Sequence, residues 1–302
     1  MRITVFGAGS LGSFIGGILS IKHHVGIIGR HSHINAIKQK GLRITGKTNL
    51  VAYPKTSLLD CQNPELLILT VKAYDTKKAL LDAYPLLGPD TSVLSLQNGF
   101  LNEKIIGDMI GSRKVIGGTT SHGVTLIRPG EINHTGLGDT VIGEMDGRIT
   151  PRIKSISSVF DEVGIQTRIS RNITKELYIK TIVNAGINPV TALFHCKNGA
   201  LLTNPFLAQV LELTCKEAVD IINSSGIILP SDIIKTVKKI AQCTSDNYSS
   251  MVQSIQRHKK TEIDQINGEI VALAEKLGRP APLNKMLVLL VKALEYENAA
   301  VA

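Results

Sequence analysis

Two sets of residues have the types and spacing to do chemistry. The first is Gly7-Ala8-Gly9-Ser10-Leu11-Gly12, a G-x-G-x-x-G pattern between a short β-prone run, Arg2–Phe6, and an apolar helical stretch over 13–21. In that context the first glycine permits a tight turn and the second lets the backbone approach a pyrophosphate. The third lets the helix pack close against the strand. The helix N-terminus then presents free N–H groups and the positive end of its dipole to phosphates. The pattern predicts a dinucleotide site.

The second set is Lys180, Asn184 and Asn188, spaced four apart and so forming one stripe of a helix whose other residues include Ile179, Ile182, Val183 and Ile187. Three polar side chains in such surroundings need partners, because burying one unpaired costs about 1–3 kcal/mol. The spacing fits either a polar stripe facing a cleft between domains or the exposed edge of an amphipathic helix whose asparagines cap its end. Pro189 disfavours the helical conformation at Asn188, so the helix is expected to end or kink there.

The elements that must position these residues divide the chain. Val25–Arg30, Leu66–Val71 and Ser92–Leu96 read as strands, and helical stretches over 34–40 and 76–87 intervene. Continuous apolar runs such as Leu66-Leu67-Ile68-Leu69 fit parallel strands buried on both faces. Alternating strands and helices predict an α/β, Rossmann-type doubly wound sheet. Ligands of such sheets sit outside the carboxyl ends of the strands, where this reading places Gly7, Arg30, Lys72 and Asn98. A NAD site usually carries Asp or Glu at the end of the second strand. Arg30 stands there instead, which favours a 2′-phosphate and hence NADP.

From Val115 to Met145, short β-prone runs and the turn Arg128-Pro129-Gly130 predict antiparallel strands and hairpins completing the sheet. Beyond Ser170 the periodicity is helical, with helices expected over 174–188, 205–224, 231–242, 249–257, 261–277 and 283–297. The expected division is therefore a dinucleotide-binding domain over 1–170 and an all-α substrate or catalytic domain over 171–302.

The bulk composition narrows the function classes. The 302 residues carry 34 Lys plus Arg against 25 Asp plus Glu, a net charge of +9 that suits an anionic ligand. Aromatic residues are only 4% and no basic block is interleaved with them, so nucleic acid is not the expected partner. No apolar run reaches the roughly 18 residues of a membrane span. The glycine motif begins at residue 7, leaving no room for a signal or transit peptide, so the protein is expected in the cytoplasm. Cys61, Cys196, Cys215 and Cys243 are widely spaced and read as reduced structural thiols. His23, His24, His31 and His33 lack the H-E-x-x-H spacing, and no metal site is expected.

The stretch 180–193, K-T-I-V-N-A-G-I-N-P-V-T-A-L, resembles ketopantoate reductases. So do the glycine loop, Lys72 in T-V-K-A, Gln97-Asn98-Gly99, Ser249-Ser250-Met251 and Thr261-Glu262-Ile263-Asp264 with Asn267-Gly268. The resemblance covers residues 2 to about 297, with motifs in both expected domains. It implies reduction of 2-dehydropantoate to pantoate with NADPH, on the route to pantothenate and coenzyme A. It also implies Lys180 as general acid and Glu262 as a catalytic glutamate. Asn98, Asn184, Asn188, Asn247 and Ser250 match substrate-binding positions. The loop Gly7 to Gly12, Lys72 and Asn98 match the cofactor side, where the strand-end reading also puts Arg30. Tyr178 stands where the family more often has Trp, and keeps an aromatic ring.

The chemistry agrees with that assignment. Hydride arriving at a ketone carbon leaves charge on oxygen, which a nearby ammonium can both stabilise and protonate. One geometric demand follows. Ser250 and Glu262 are twelve residues apart, about 18 Å along one straight helix, too far for one small substrate. Arg257-His258-Lys259-Lys260 and a capping-box-like Thr261-x-x-Asp264 predict a break near 257–260. Two other functions are compatible with the sequence: an NADP-dependent reductase of another 2-oxo acid, and a regulatory protein that senses NADPH without turnover. The apolar stretch Met286–Leu294 packs either within the second domain or between the subunits of a homodimer.

Overall fold

The computed structural model describes residues 1–300. The chain forms two compact units, residues 1–97 with 102–176, and residues 98–101 with 177 onward.

In chain order the first unit contains β1 (Arg2–Phe6), α1 (Ser10–Leu19), β2 (His24–Ile28), α2 (His31–Lys40), β3 (Leu42–Gly46), β4 (Leu50–Ala52), β5 (Leu66–Leu69) and α3 (Thr76–Ala83). It continues with β6 (Ser92–Ser95), α4 (Asn102–Ile110), β7 (Val115–Thr120), β8 (Gly123–Arg128), β9 (Glu131–Gly136), β10 (Thr140–Glu144), α5 (Pro151–Asp161) and β11 (Thr167–Ile169). Seven strands form the main sheet in the order β11-β10-β7-β6-β5-β1-β2. The five from β7 to β2 run parallel, β10 is antiparallel to β7, and β11 is parallel to β10.

The apolar strands alternate across this sheet. Leu66, Ile68 and Leu94 join one buried cluster with Phe14, Ile15 and Ile153 of α1 and α5. Leu67, Leu69 and Val93 join another with Leu80 and Ile106 of α3 and α4. The period of two in the strands thus puts helices on both faces.

One expectation needs correction here. The strands from Val115 to Met145 do not all complete the main sheet. Only β7 and β10 do, while β8 and β9 pair with β3 and β4 in a separate four-stranded sheet of order β4-β3-β9-β8. A hairpin's alternation fixes its own pairing and not which neighbour it joins.

α6 (Ile173–Leu193) carries the chain into the second unit. There follow α7 (Ala200–Thr203), α8 (Pro205–Ser224), α9 (Ile233–Cys243), α10 (Ser250–Ile255), α11 (Ile263–Lys276) and α12 (Pro282–Ala300). Their core gathers Ile182, Leu211, Val237, Val252, Ile266 and Val291 from six helices. Among the described residues, no helix is long and apolar enough to cross a membrane.

α6 is expected to end or kink at Asn188, and it does not end there. The helix runs through Pro189 to Leu193. Proline removes the N–H that would bond the carbonyl four residues back, that of Ala185. Asn267 supplies a substitute: its Nδ2 donates to Ala185 O at 3.1 Å. Leaving that carbonyl bare in the core would cost about 1–3 kcal/mol.

The expected break between residues 249 and 277 is present. α10 stops at Ile255, His258 takes a left-handed φ of +51°, and α11 starts at Ile263. The capping box is not formed. Thr261 Oγ1 accepts from the Ile263 N–H at 3.2 Å, while Asp264 pairs with Lys292 at 2.7 Å instead of reaching back.

Candidate active site

In the first unit, three neighbouring strands deliver the predicted cofactor residues at their carboxyl ends. The glycine loop follows β1, Arg30 follows β2, and Lys72 follows β5. Gly7 has φ +116°, and a Cβ there would lie 2.5 Å from Val71 N. At Gly12 a Cβ would lie 2.2 Å from Gly7 O and 2.4 Å from Thr70 Oγ1. Both glycines are demanded by close packing of the fold itself. Gly9 differs, since the nearest atom to a Cβ there would be 3.9 Å away. The space it leaves is open.

The loop is tied down on its inner side. The Gly7 and Ala8 N–H groups both donate to Ile28 O, at 2.9 and 2.8 Å. Ser10 Oγ accepts the Leu126 N–H at 3.0 Å. The first helical bond of α1 runs from Ser13 N–H to Gly9 O at 3.0 Å. The amides of Ser10, Leu11 and Gly12 come before it, with no helical carbonyl ahead of them. Arg30 is exposed at the N-cap of α2. Lys72 is half-buried, in a loop braced by Gln97 Nε2, which donates to Val71 O at 3.1 Å and Thr76 Oγ1 at 2.8 Å. Backbone donors, an open glycine and two cations form a cradle that fits a phosphorylated dinucleotide.

In the second unit the polar stripe of α6 is not an exposed edge. Asn188 is only 4% exposed, and Lys180 and Asn184 are half-buried. Nor do the asparagines cap a helix end. Asn184 Nδ2 donates to Asn98 Oδ1 at 3.3 Å, and Asn98 Nδ2 donates to Glu262 Oε2 at 3.1 Å. The Glu262 carboxylate is itself buried, at 4% exposure. Asn98, Asn184 and Glu262 thus form one chain of hydrogen bonds, with Lys180 one helical turn before Asn184 and Asn188 one turn after. The Asn188 Nδ2 is buried with no hydrogen-bond partner, a donor that a bound acceptor would satisfy.

The segment that carries Asn247 and Ser250 is tied to the far end of α6 through Ser249 and to the loop after α6 through Asn247. A hydroxyl–hydroxyl bond of 2.8 Å joins Thr191 to Ser249, the N-cap of α10, and the Asn198 N–H donates to Asn247 O at 3.0 Å. Asn247 is half-buried and Ser250 exposed.

Sequence reasoning missed Glu269 and Phe100, which hold this arrangement together with Gly99 and Tyr178. Glu269 is buried and accepts the Phe100 N–H at 2.8 Å, which fixes the turn carrying Asn98. Gly99 in that turn has φ +94°, and a Cβ there would lie 2.7 Å from Gln265 O. Phe100 stacks on Tyr178 with ring centroids 4.4 Å apart. Burial, and then the Glu269 charge, push the Tyr178 hydroxyl above its ordinary pKa, so it stays neutral. The one available signal for Glu269 was its spacing, two helical turns beyond Glu262.

Residues 3–147 match the family described as ketopantoate reductase PanE/ApbA, and residues 172–295 match its C-terminal part. The chain belongs to the ketopantoate reductase family. It is 39% identical to a 2-dehydropantoate 2-reductase of Pyrococcus horikoshii over 297 residues, which cover 98% of each chain. Among solved structures, a PanE/ApbA family ketopantoate reductase from Ralstonia eutropha superposes with a TM-score of 0.91 at 29% identity, covering 99% of both chains. A D-mandelate dehydrogenase bound to NADH and anilino(oxo)acetate superposes with a TM-score of 0.92 at 27% identity, with the same coverage. Membership spans both units, so the glycine cradle and the α6 stripe belong to one family pattern.

Proposed function

We propose that this protein is an NADPH-dependent 2-dehydropantoate 2-reductase, forming pantoate for pantothenate and coenzyme A synthesis. The observation that carries this reading is the hydrogen-bonded chain Asn184–Asn98–Glu262 beside Lys180, in a chain that belongs to this family throughout. Residues 7–12, Arg30 and Lys72 hold the cofactor, and Arg30 selects the 2′-phosphate. Bound NADPH supplies hydride to the keto carbon.

The chain's own residues do the rest. Lys180 sets its ammonium against the keto oxygen, stabilises the charge that develops there and donates the proton that makes the hydroxyl. Lys180 then regains a proton from solvent. Glu262, held by Asn98 Nδ2, orients the polar groups around that oxygen. The amides of Asn184 and Asn188 and the side chains of Asn247 and Ser250 bind the substrate carboxylate and hydroxyl. Asn98 serves both cofactor and substrate sides. The division of labour is a cofactor unit before α6 and a substrate unit made of the rest of the chain from α6 with the turn 98–101. The enzyme works in the cytoplasm, as a homodimer through the exposed Met286, Leu289 and Leu290 of α12.

The test is NADPH oxidation with 2-dehydropantoate against a panel of 2-oxo acids. The reading predicts kcat/KM at least about tenfold higher for 2-dehydropantoate, a difference of about 1.4 kcal/mol in transition-state binding. Equal or better turnover of another 2-oxo acid would support the second reading, a reductase of a different 2-oxo acid. The D-mandelate dehydrogenase likeness favours that alternative.

A further inference from the structure

Pro189 creates a defect in the helix that carries the catalytic stripe, and one buried side chain repairs it. Pro189 lies one residue beyond Asn188, and it lacks the N–H that this position of an α-helix would offer Ala185 O. Asn267, which is 0% exposed on α11, spends both Nδ2 hydrogens on acceptors: Ala185 O at 3.1 Å and Asn284 Oδ1 at 2.9 Å. Its own Oδ1 is buried without a partner. A side chain that leaves its acceptor idle while both donors are engaged is placed there to donate. Thr191 adds a second tie downstream, its hydroxyl lying 2.8 Å from Ile187 O.

We infer that Asn267 is a positioning residue for substrate binding: it stands in for the amide hydrogen that Pro189 lacks and keeps Asn188 in register with Lys180 and Asn184. This inference rests on the reading in which that stripe handles the keto acid. Without the brace, α6 bends between Asn184 and Asn188. The Lys180 end stays in place and the Asn188 end moves. Substrate binding then suffers more than proton donation, because a misplacement of about 1 Å can cost on the order of 100-fold.

The test is a double-mutant cycle of Asn267→Leu and Pro189→Ala. Pro189→Ala restores the backbone N–H, so it makes the brace redundant. N267L should raise KM for 2-dehydropantoate about tenfold or more, with kcat within about threefold and KM for NADPH unchanged. The double variant should return KM to within about threefold of wild type, and P189A alone should change little. Amide exchange over residues 186–193, which needs no activity, should rise in N267L and fall back in the double variant. If N267L is poorly folded, the double variant should melt at a clearly higher temperature than N267L, by more than P189A raises wild type. An equal effect of P189A in both backgrounds, in exchange and in melting, overturns the brace. Wild-type protein that does not reduce 2-dehydropantoate would overturn the proposed function, and the exchange and melting arms would still judge the brace.

Discussion

The glycine loop and the α6 stripe solve opposite problems. In the loop, the proposed function depends on side chains that are missing. Gly7 and Gly12 are empty because Val71, Thr70 and Gly7 O fill the space, and Gly9 is empty with nothing within 3.9 Å. In the proposed function the recognition groups are backbone amides, and they lie within a dozen consecutive residues. In the stripe, the proposed function depends on side chains that are present and on others brought to them from afar. Asn98 reaches Glu262 across 164 positions and Asn184 across 86. A local pattern can announce the first kind of site. The second needs the folded chain.

That difference can be broken on either side. The largest effect on stability is expected at Gly12. Gly12→Ala sets a methyl against Gly7 O and Thr70 Oγ1, and overpacking of this kind costs about 1–3 kcal/mol or more. Thermal melting should show a drop of several degrees with loss of NADPH binding. Gly9→Ala should melt like wild type yet bind NADPH about tenfold or more weaker by titration, because its methyl occupies only open space. Equal melting losses at the two positions would erase the distinction between a packing glycine and a ligand glycine.

Asn98→Ala removes a donor to buried Glu262 and the acceptor of Asn184. It should lower kcat/KM about 10- to 100-fold and lower the melting temperature by a few degrees, because a buried carboxyl group loses a donor at a cost of about 1–3 kcal/mol. Arg30→Ala should cut the preference for NADPH over NADH about tenfold in paired kcat/KM measurements and leave turnover with NADH intact.

The smallest effect concerns pH. Burial, and then the neighbouring His134, push His122 down to about 4, against an opposing pull from Asp139. His122 Nδ1 bonds His134 Nε2 at 3.1 Å, and both rings lie against Phe14 of α1. A histidine that is neutral when folded and charged when unfolded gives stability that is complete above its unfolded pKa of about 6.5. That stability is lost as pH falls through about 4. Melting temperature should fall over this window, and His122→Phe should flatten the fall.

The same contrast explains what was legible in the sequence. The apolar run at 66–69 became β5, and the glycine motif marked the turn after β1. Arg128-Pro129-Gly130 marked the hairpin between β8 and β9 but not the sheet that hairpin joins. Pro189 predicted a helix end or kink because local rules count only the lost N–H. Asn267, 78 positions away in the sequence, overrides them through a tertiary hydrogen bond. The roles given to Lys180 and Glu262 came from a resemblance, since spacing left the stripe between a cleft and an exposed edge. Burial of Asn188 and Glu262 decides against the edge.

The central claim is that the first unit holds the cofactor and Lys180 of the second does the proton chemistry. Lys180→Ala tests it most directly, with NADPH affinity and 2-dehydropantoate reduction measured on the same preparation. The account predicts a loss in kcat of about 100- to 10,000-fold, the usual worth of a general acid, with NADPH affinity within about threefold of wild type. Retained turnover, or loss of NADPH binding along with it, would contradict the claim.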